Sequence, residues 1–131
     1  MERLSILIIE DDRDMSKRLE DILRLRGYEP FAAGNGAEGL ALLKKNRFDI
    51  VLIDLSLPDI PGVKVMSQIK ATLRFVEFIV ITGNTSLDSA VECMKNGASD
   101  YLTKPLDCAK LFACIDSAVA NIRRCGVYKG L

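Results

Sequence analysis

The chain has 131 residues, 49% hydrophobic and 27% charged, which suits one domain with its own core and leaves no room for two. Eighteen basic and eighteen acidic side chains cancel, so the overall charge gives no case for direct nucleic-acid binding. There is no histidine, which excludes a Ser-His-Asp triad, a Cys-His nucleophile, a histidine pH switch and most zinc sites.

Leu4–Ile9 is a short, nearly continuous apolar run, the pattern of a strand buried on both faces, and it stops at Glu10-Asp11-Asp12. Met15, Leu19, Ile22 and Leu23 recur at helical spacing up to Gly27, a helix stop. Glu29–Ala33 reads as a weaker strand, and Ala37, Leu40 and Ala41 open a second helix that ends near Asn46. Ile50–Ile53 is wholly apolar and ends at Asp54. A loop with Pro58, Pro61 and Gly62 follows, then a helix carrying Val63, Met66 and Ile69. Val76–Ile81 is a fourth strand ending at Thr82. From Asn84 to Asn96, Leu87, Val91 and Met94 form a helical stripe closed by Gly97. Asp100–Thr103 is a short fifth strand, and Leu111, Ile115, Ala118, Val119 and Ile122 mark one face of a last helix.

The order is (βα)5. Strands alternating with helices over short connections predict an α/β fold: a doubly wound, parallel, five-stranded sheet in a three-layer sandwich. The four cysteines, Cys93, Cys108, Cys114 and Cys125, show no C-x-x-C spacing and read as reduced thiols. No signal peptide precedes the first strand, and no apolar run approaches the roughly 18 residues of a membrane span. A cytoplasmic protein without membrane contact is expected.

In an open α/β sheet, ligands bind beyond the carboxyl ends of the strands, near the topological switch. The residues there are Glu10 and Asp11 after the first strand, Asp54 after the third, Thr82 after the fourth and Lys104 after the fifth. Three carboxylates so close repel one another, and a divalent cation relieves this. Hard oxygen ligands favour Mg2+ or Mn2+. Lys104 and Thr82 suit the oxygens of an incoming phosphoryl group. A carboxylate can itself be the nucleophile and form an aspartyl phosphate, and Asp54, followed by a loop, is the best candidate.

The motifs I-I-E-D-D (8–12), I-D-L-S-L-P-D-I-P-G (53–62), V-I-T-G (80–83) and D-Y-L-T-K-P (100–105) resemble those of a response-regulator receiver domain of bacterial two-component signalling, with a CheY-like, flavodoxin-like fold. The resemblance spans about residues 3–122, and the spacing between motifs also fits. It implies that Asp54 accepts phosphate from the phosphohistidine of a sensor histidine kinase or phosphotransfer protein, or from a small phosphodonor. Asp11 would be a direct metal ligand and Glu10 would act largely through water. Asp54 and the Ser56 backbone carbonyl would complete the protein ligands. Thr82 and Tyr101 would be the switch pair and Lys104 the phosphate contact. Lys104-Pro105 would be a cis peptide. Ser56 and Asn84 occupy positions that in the family tune how long the phosphate survives.

The implied output surface is the fourth helix, fifth strand and fifth helix, also the face for a homodimer. Residues 1–124 are read as the receiver and 125–131 as a tail, the start of a link to an effector that these residues do not contain. The start at Met1 directly before the first strand favours an amino-terminal receiver. The acidic triplet leaves a choice of frame, and Glu10-Asp11 is preferred because it sets Met15 and Leu19 on the core side of the first helix. Asp12 or Asp14 then caps that helix. Leu57 stands where the family often has methionine, a swap of similar volume.

Other readings are weaker. Gly34-Asn35-Gly36-Ala37-Glu38-Gly39 is a literal G-x-G-x-x-G, but it follows the weakest strand and not the first one. A turn at Asn35-Gly36 and close packing at Gly39 explain it better. A phosphatase with an aspartyl nucleophile needs a second acid two residues on, and position 56 is serine. A receiver-like interaction module that never takes phosphate is the non-chemical alternative. No enzymatic activity beyond self-phosphorylation and self-dephosphorylation is expected.

Overall fold

The computed structural model describes residues 3–72, 76–83 and 86–125. Its elements are β1 (Ser5–Ile9), α1 (Arg13–Leu25), β2 (Glu29–Ala33), α2 (Gly36–Lys45), β3 (Ile50–Asp54), α3 (Gly62–Thr72), β4 (Glu77–Thr82), α4 (Leu87–Lys95), β5 (Asp100–Thr103) and α5 (Cys108–Cys125). All pairings are parallel, in the order β2-β1-β3-β4-β5. The doubly wound α/β sandwich expected from the alternating pattern is the fold observed. Winding reverses between β1 and β3, which opens a crevice at their carboxyl ends.

The continuous apolar runs reflect burial on both faces. Ile6, Ile8, Leu52 and Ile79 pack with Leu19 and Leu23 of α1 and Leu111 and Ile115 of α5. The alternate residues Leu7, Ile9, Ile53 and Val80 pack with Val65, Met66 and Ile69 of α3 and Cys93 of α4. β2 pairs only with β1, and as an edge strand it leaves Glu29, Phe31 and Ala32 exposed. Its weak apolar signal follows from that position. Gly27 and Gly97 end α1 and α4 with φ of 89° and 96°, a left-handed conformation that glycine adopts without steric cost. At Gly39 a Cβ would lie 2.5 Å from Ile9 Cδ1, so this glycine of the G-x-G-x-x-G string serves helix–strand packing.

The stripe on α4 faces outward. Leu87, Val91 and Met94 are 77%, 42% and 49% exposed, while α4 turns small residues to the sheet: Cys93 is buried and Ser89 and Ala90 are half-buried. Periodicity shows which residues share a helix face, and the neighbouring elements decide which face is covered. Cys93, Cys108 and Cys114 are free thiols. Burial, with the Asp100 carboxylate adding to it, pushes the Cys114 thiol up to about 12. Among the described residues no helix is long and apolar enough to cross a membrane. α5 continues through Cys125, and positions 126–131 of the expected tail lie outside the described residues.

Candidate functional site

Parallel pairing sets Ile9 opposite Ile53, so the next residue of each chain segment, Glu10 and Asp54, reaches the crevice side by side. Both are 4% exposed. The Glu10 N–H donates to the Ala33 carbonyl at 3.0 Å, which fixes the backbone there. Lys104 closes the group: its Nζ lies 3.0 Å from Glu10 Oε1 and 3.0 Å from Asp54 Oδ2. The second oxygen of each carboxylate is also held, Glu10 Oε2 by the Asp12 N–H at 3.0 Å and Asp54 Oδ1 by the Ser56 N–H at 2.9 Å. Asp11 is exposed, yet one carboxylate oxygen from each of Glu10, Asp11 and Asp54 lies within 4.8 Å of the others.

Burial pushes the Glu10 carboxyl above the usual carboxylate range, and the neighbouring Asp54 charge adds to the shift. The Asp12 amide and Lys104 offset only part of it. Burial by itself would lower the Lys104 ammonium, but its hydrogen bonds to Glu10 and Asp54 outweigh that and hold its pKa above the usual value. Three carboxylates against one ammonium leave two negative charges uncompensated. An all-oxygen cluster with excess negative charge, one member open to solvent, fits a hard divalent cation such as Mg2+ or Mn2+.

The acidic triplet divides between two tasks. Asp12 caps α1, accepting from the Asp14 and Met15 N–H groups at 3.0 and 3.1 Å, which leaves Glu10 and Asp11 to the cluster. Thr82 is fully buried at the end of β4, and its carbonyl accepts the Lys104 N–H at 2.8 Å. Tyr101, on the adjacent strand, is half-buried against the α3–α4 side of the core. The Lys104-Pro105 peptide is cis. Ser56 is exposed in the loop after β3, and Asn84 lies outside the described residues.

Gly62, the first residue of α3, and Asp59, in the loop before it, have structural tasks that the sequence pattern did not indicate. A Cβ at Gly62 would sit 2.8 Å from the Asp54 carbonyl oxygen and 2.8 Å from Leu55 Cα. Backbone atoms cannot move aside as a side-chain tip can, so Gly62→Ala is expected to cost about 1–3 kcal/mol, measurable by urea denaturation. A variant as stable as the wild type would show that α3 does not need this approach. Asp59 is the other: its carboxylate accepts the Gly36 and Ala37 N–H groups at 2.8 and 2.9 Å. Its partners lie 23 and 22 residues away, and no local pattern could reveal them.

A model of the response regulator receiver domain matches residues 6–116. The chain belongs to the response-regulator receiver family. The receiver is 35% identical over 122 residues to the transcriptional regulatory protein ZraR of Klebsiella oxytoca, covering 93% of this chain and 28% of that protein. It therefore spans little more than a quarter of this relative. Among solved structures, a CheY-like receiver domain protein from Methanospirillum hungatei JF-1 superposes with a TM-score of 0.90 at 28% identity, over 94% of this chain and 98% of that one. The CheY of Borrelia burgdorferi, solved as a complex with CheX, BeF3 and Mg2+, superposes with a TM-score of 0.84 at 26% identity, over 88% of the receiver and 89% of that chain.

Proposed function

We propose that this receiver is a phosphoacceptor switch in which Asp54 takes a phosphoryl group from the phosphohistidine of a sensor kinase or phosphotransfer protein, or from a small phosphodonor. The observation that carries the reading is the Lys104 ammonium held 3.0 Å from both Glu10 and Asp54 at the crevice where the winding reverses. Glu10, Asp11, Asp54 and the Ser56 carbonyl would hold Mg2+ or Mn2+, which supplies charge neutralisation for phosphoryl transfer when bound. That the similar Borrelia CheY was solved in a complex with BeF3 and Mg2+ supports Mg2+ as the cation.

The Ser56 N–H on Oδ1 and Lys104 on Oδ2 orient the Asp54 carboxylate. One of its oxygens attacks phosphorus in line. The Asp54 O–P bond forms as the bond from phosphorus to the donor nitrogen or oxygen breaks, and the leaving group keeps that electron pair. Lys104 then turns from the carboxylate to the new phosphoryl oxygens. The Thr82 hydroxyl follows the phosphoryl group and Tyr101 moves inward. Ser56 and Asn84 tune the lifetime of the aspartyl phosphate.

The output face is α4, β5 and α5, where Leu87, Val91 and Met94 already present an apolar stripe to solvent. A homodimer through that face is part of the proposal, as is residence in the cytoplasm. Residues 1–124 are the receiver unit, and its last helix runs on through Cys125. ZraR is a transcriptional regulatory protein, so an output module that binds DNA fits, with no DNA contact by the receiver itself.

Intact mass after incubation with Mg2+ and acetyl phosphate tests the reading. One added phosphoryl group, about 80 Da, that disappears in chelator is the expected result. No adduct from any donor, together with no beryllofluoride complex, would leave an interaction module that works without phosphate.

A further inference from the structure

The loop that follows Asp54 is fastened at a second point, away from the acidic cluster. Asp59 is exposed to solvent, yet its carboxylate accepts three backbone N–H groups: Gly36 at 2.8 Å, Ala37 at 2.9 Å and Ile60 at 2.8 Å. Gly36 and Ala37 are the first two residues of α2, and their amides have no acceptor within the helix. The third, Glu38, donates to Asn35 Oδ1 at 2.8 Å. The amino terminus of α2 is thus capped by two residues of different origin, Asn35 from its own chain segment and Asp59 from the β3–α3 loop. The Ala37 and Gly36 amides hold the Asp59 carboxyl below the usual carboxylate range, as bonds to the charged form should.

Packing reinforces the contact. A Cβ at Gly36 would lie 3.0 Å from Ile60 Cβ and 3.1 Å from Val65 Cγ2, so the loop rests directly on the helix start. Only Leu57 and Pro58 separate Asp59 from Ser56, and proline restricts the backbone between them. The Ser56 N–H in turn orients Asp54 Oδ1.

We infer that Asp59 is a positioning residue: by clamping the loop to the amino terminus of α2 it sets where Ser56 stands relative to Asp54, and so tunes cation binding and phosphoryl uptake at the site. The inference rests on the function proposed above. Removing a group bonded directly to a metal ligand typically costs about 10–100-fold in metal affinity or activity, and Asp59, which acts through the loop backbone, is expected at the low end of that range.

Three variants of the 131-residue chain, Asp59→Ala, Asp59→Asn and Asn35→Ala, test it. The readouts are Mg2+ affinity from amide shifts, hydrogen exchange at Gly36 and Ala37 in chelator, and uptake from acetyl phosphate. Asp59→Ala is expected to exchange faster at both amides and to weaken Mg2+ binding and slow uptake by about tenfold. Asp59→Asn, with one acceptor oxygen left, falls between. Asn35→Ala removes the other cap without touching the loop, and is expected to loosen α2 while keeping Mg2+ affinity. Wild-type Mg2+ affinity in Asp59→Ala overturns the inference, as does equal weakening in Asn35→Ala, which would reduce the effect to general loosening of α2. If Asp59→Ala does not fold, Asp59→Asn decides, since faster exchange with unchanged Mg2+ affinity refutes the clamp. A wild type that neither binds Mg2+ nor takes phosphate removes the functional reading itself, an outcome visible before any variant is compared.

Discussion

Asp54→Asn is expected to take up no phosphoryl group from any donor, while folding as the wild type does. The amide has nearly the shape of the carboxylate but lacks the nucleophilic, charged oxygen that attack on phosphorus requires. One oxygen remains to accept a single donor well, either the Ser56 N–H or Lys104, where the carboxylate satisfies both. Lys104 keeps Glu10 as its partner at 3.0 Å. Removing one of two buried negative charges also relieves their repulsion. The lost hydrogen bond to the charged carboxylate is worth about 1.5–3 kcal/mol and the relieved repulsion opposes it, so unfolding free energy should shift by less than that bond alone. Intact mass and urea denaturation check the two halves separately. A phosphoryl adduct on the variant at the wild-type rate would move the acceptor away from Asp54.

Lys104→Ala should show the opposite balance, a large stability loss in chelator. It leaves Glu10 and Asp54, both 4% exposed, facing each other with no cation between them. Breaking a buried pair by removing one partner typically costs about 3–5 kcal/mol. The low end, about 3 kcal/mol, applies here because Lys104 itself is 29% exposed and water can reach the gap. A divalent cation should then stabilise the variant more than the wild type, since the cation supplies the charge that Lys104 no longer does. Denaturation of both proteins, in chelator and in Mg2+, measures this difference directly. Equal stability in chelator would mean that the two carboxylates do not depend on Lys104. Phosphoryl uptake by the variant, followed by amide shifts on α4 and β5, separates acceptance from switching. An unchanged surface response would remove Lys104 from the relay.

Much of this site was legible in the chain because Glu10, Asp54 and Thr82 close apolar strands, while Lys104 follows the short, half-polar β5 and was placed by the alternation of strands and helices. A strand buried on both faces stands out without any partner being known, and the first polar residue after it must sit at the end of the sheet. That is why Glu10, Asp54, Thr82 and Lys104 could be grouped from order alone. β2 read weakly because it is an edge strand, with only two of its five residues buried. The frame of the acidic triplet rested on α1 periodicity, and the Asp12 cap accounts for the residue left over.

What stayed hidden depends on contacts between distant segments. Lys104 bridges carboxylates on two other strands, one of them 50 residues away, and only the lateral order of β1, β3, β4 and β5 decides that it can. Asp59 looked like any loop carboxylate until the fold brought α2 beside it. The α4 stripe had helical periodicity in the sequence, but Leu87, Val91 and Met94 face solvent because the sheet takes the smaller residues of that helix. Local pattern by itself determined the elements, their order and the chemistry gathered at the strand ends, because burial and backbone geometry act within a few residues. Tertiary structure alone decided which charges touch, which helix face is covered and what holds the acceptor loop, because those depend on packing between segments that the chain keeps far apart.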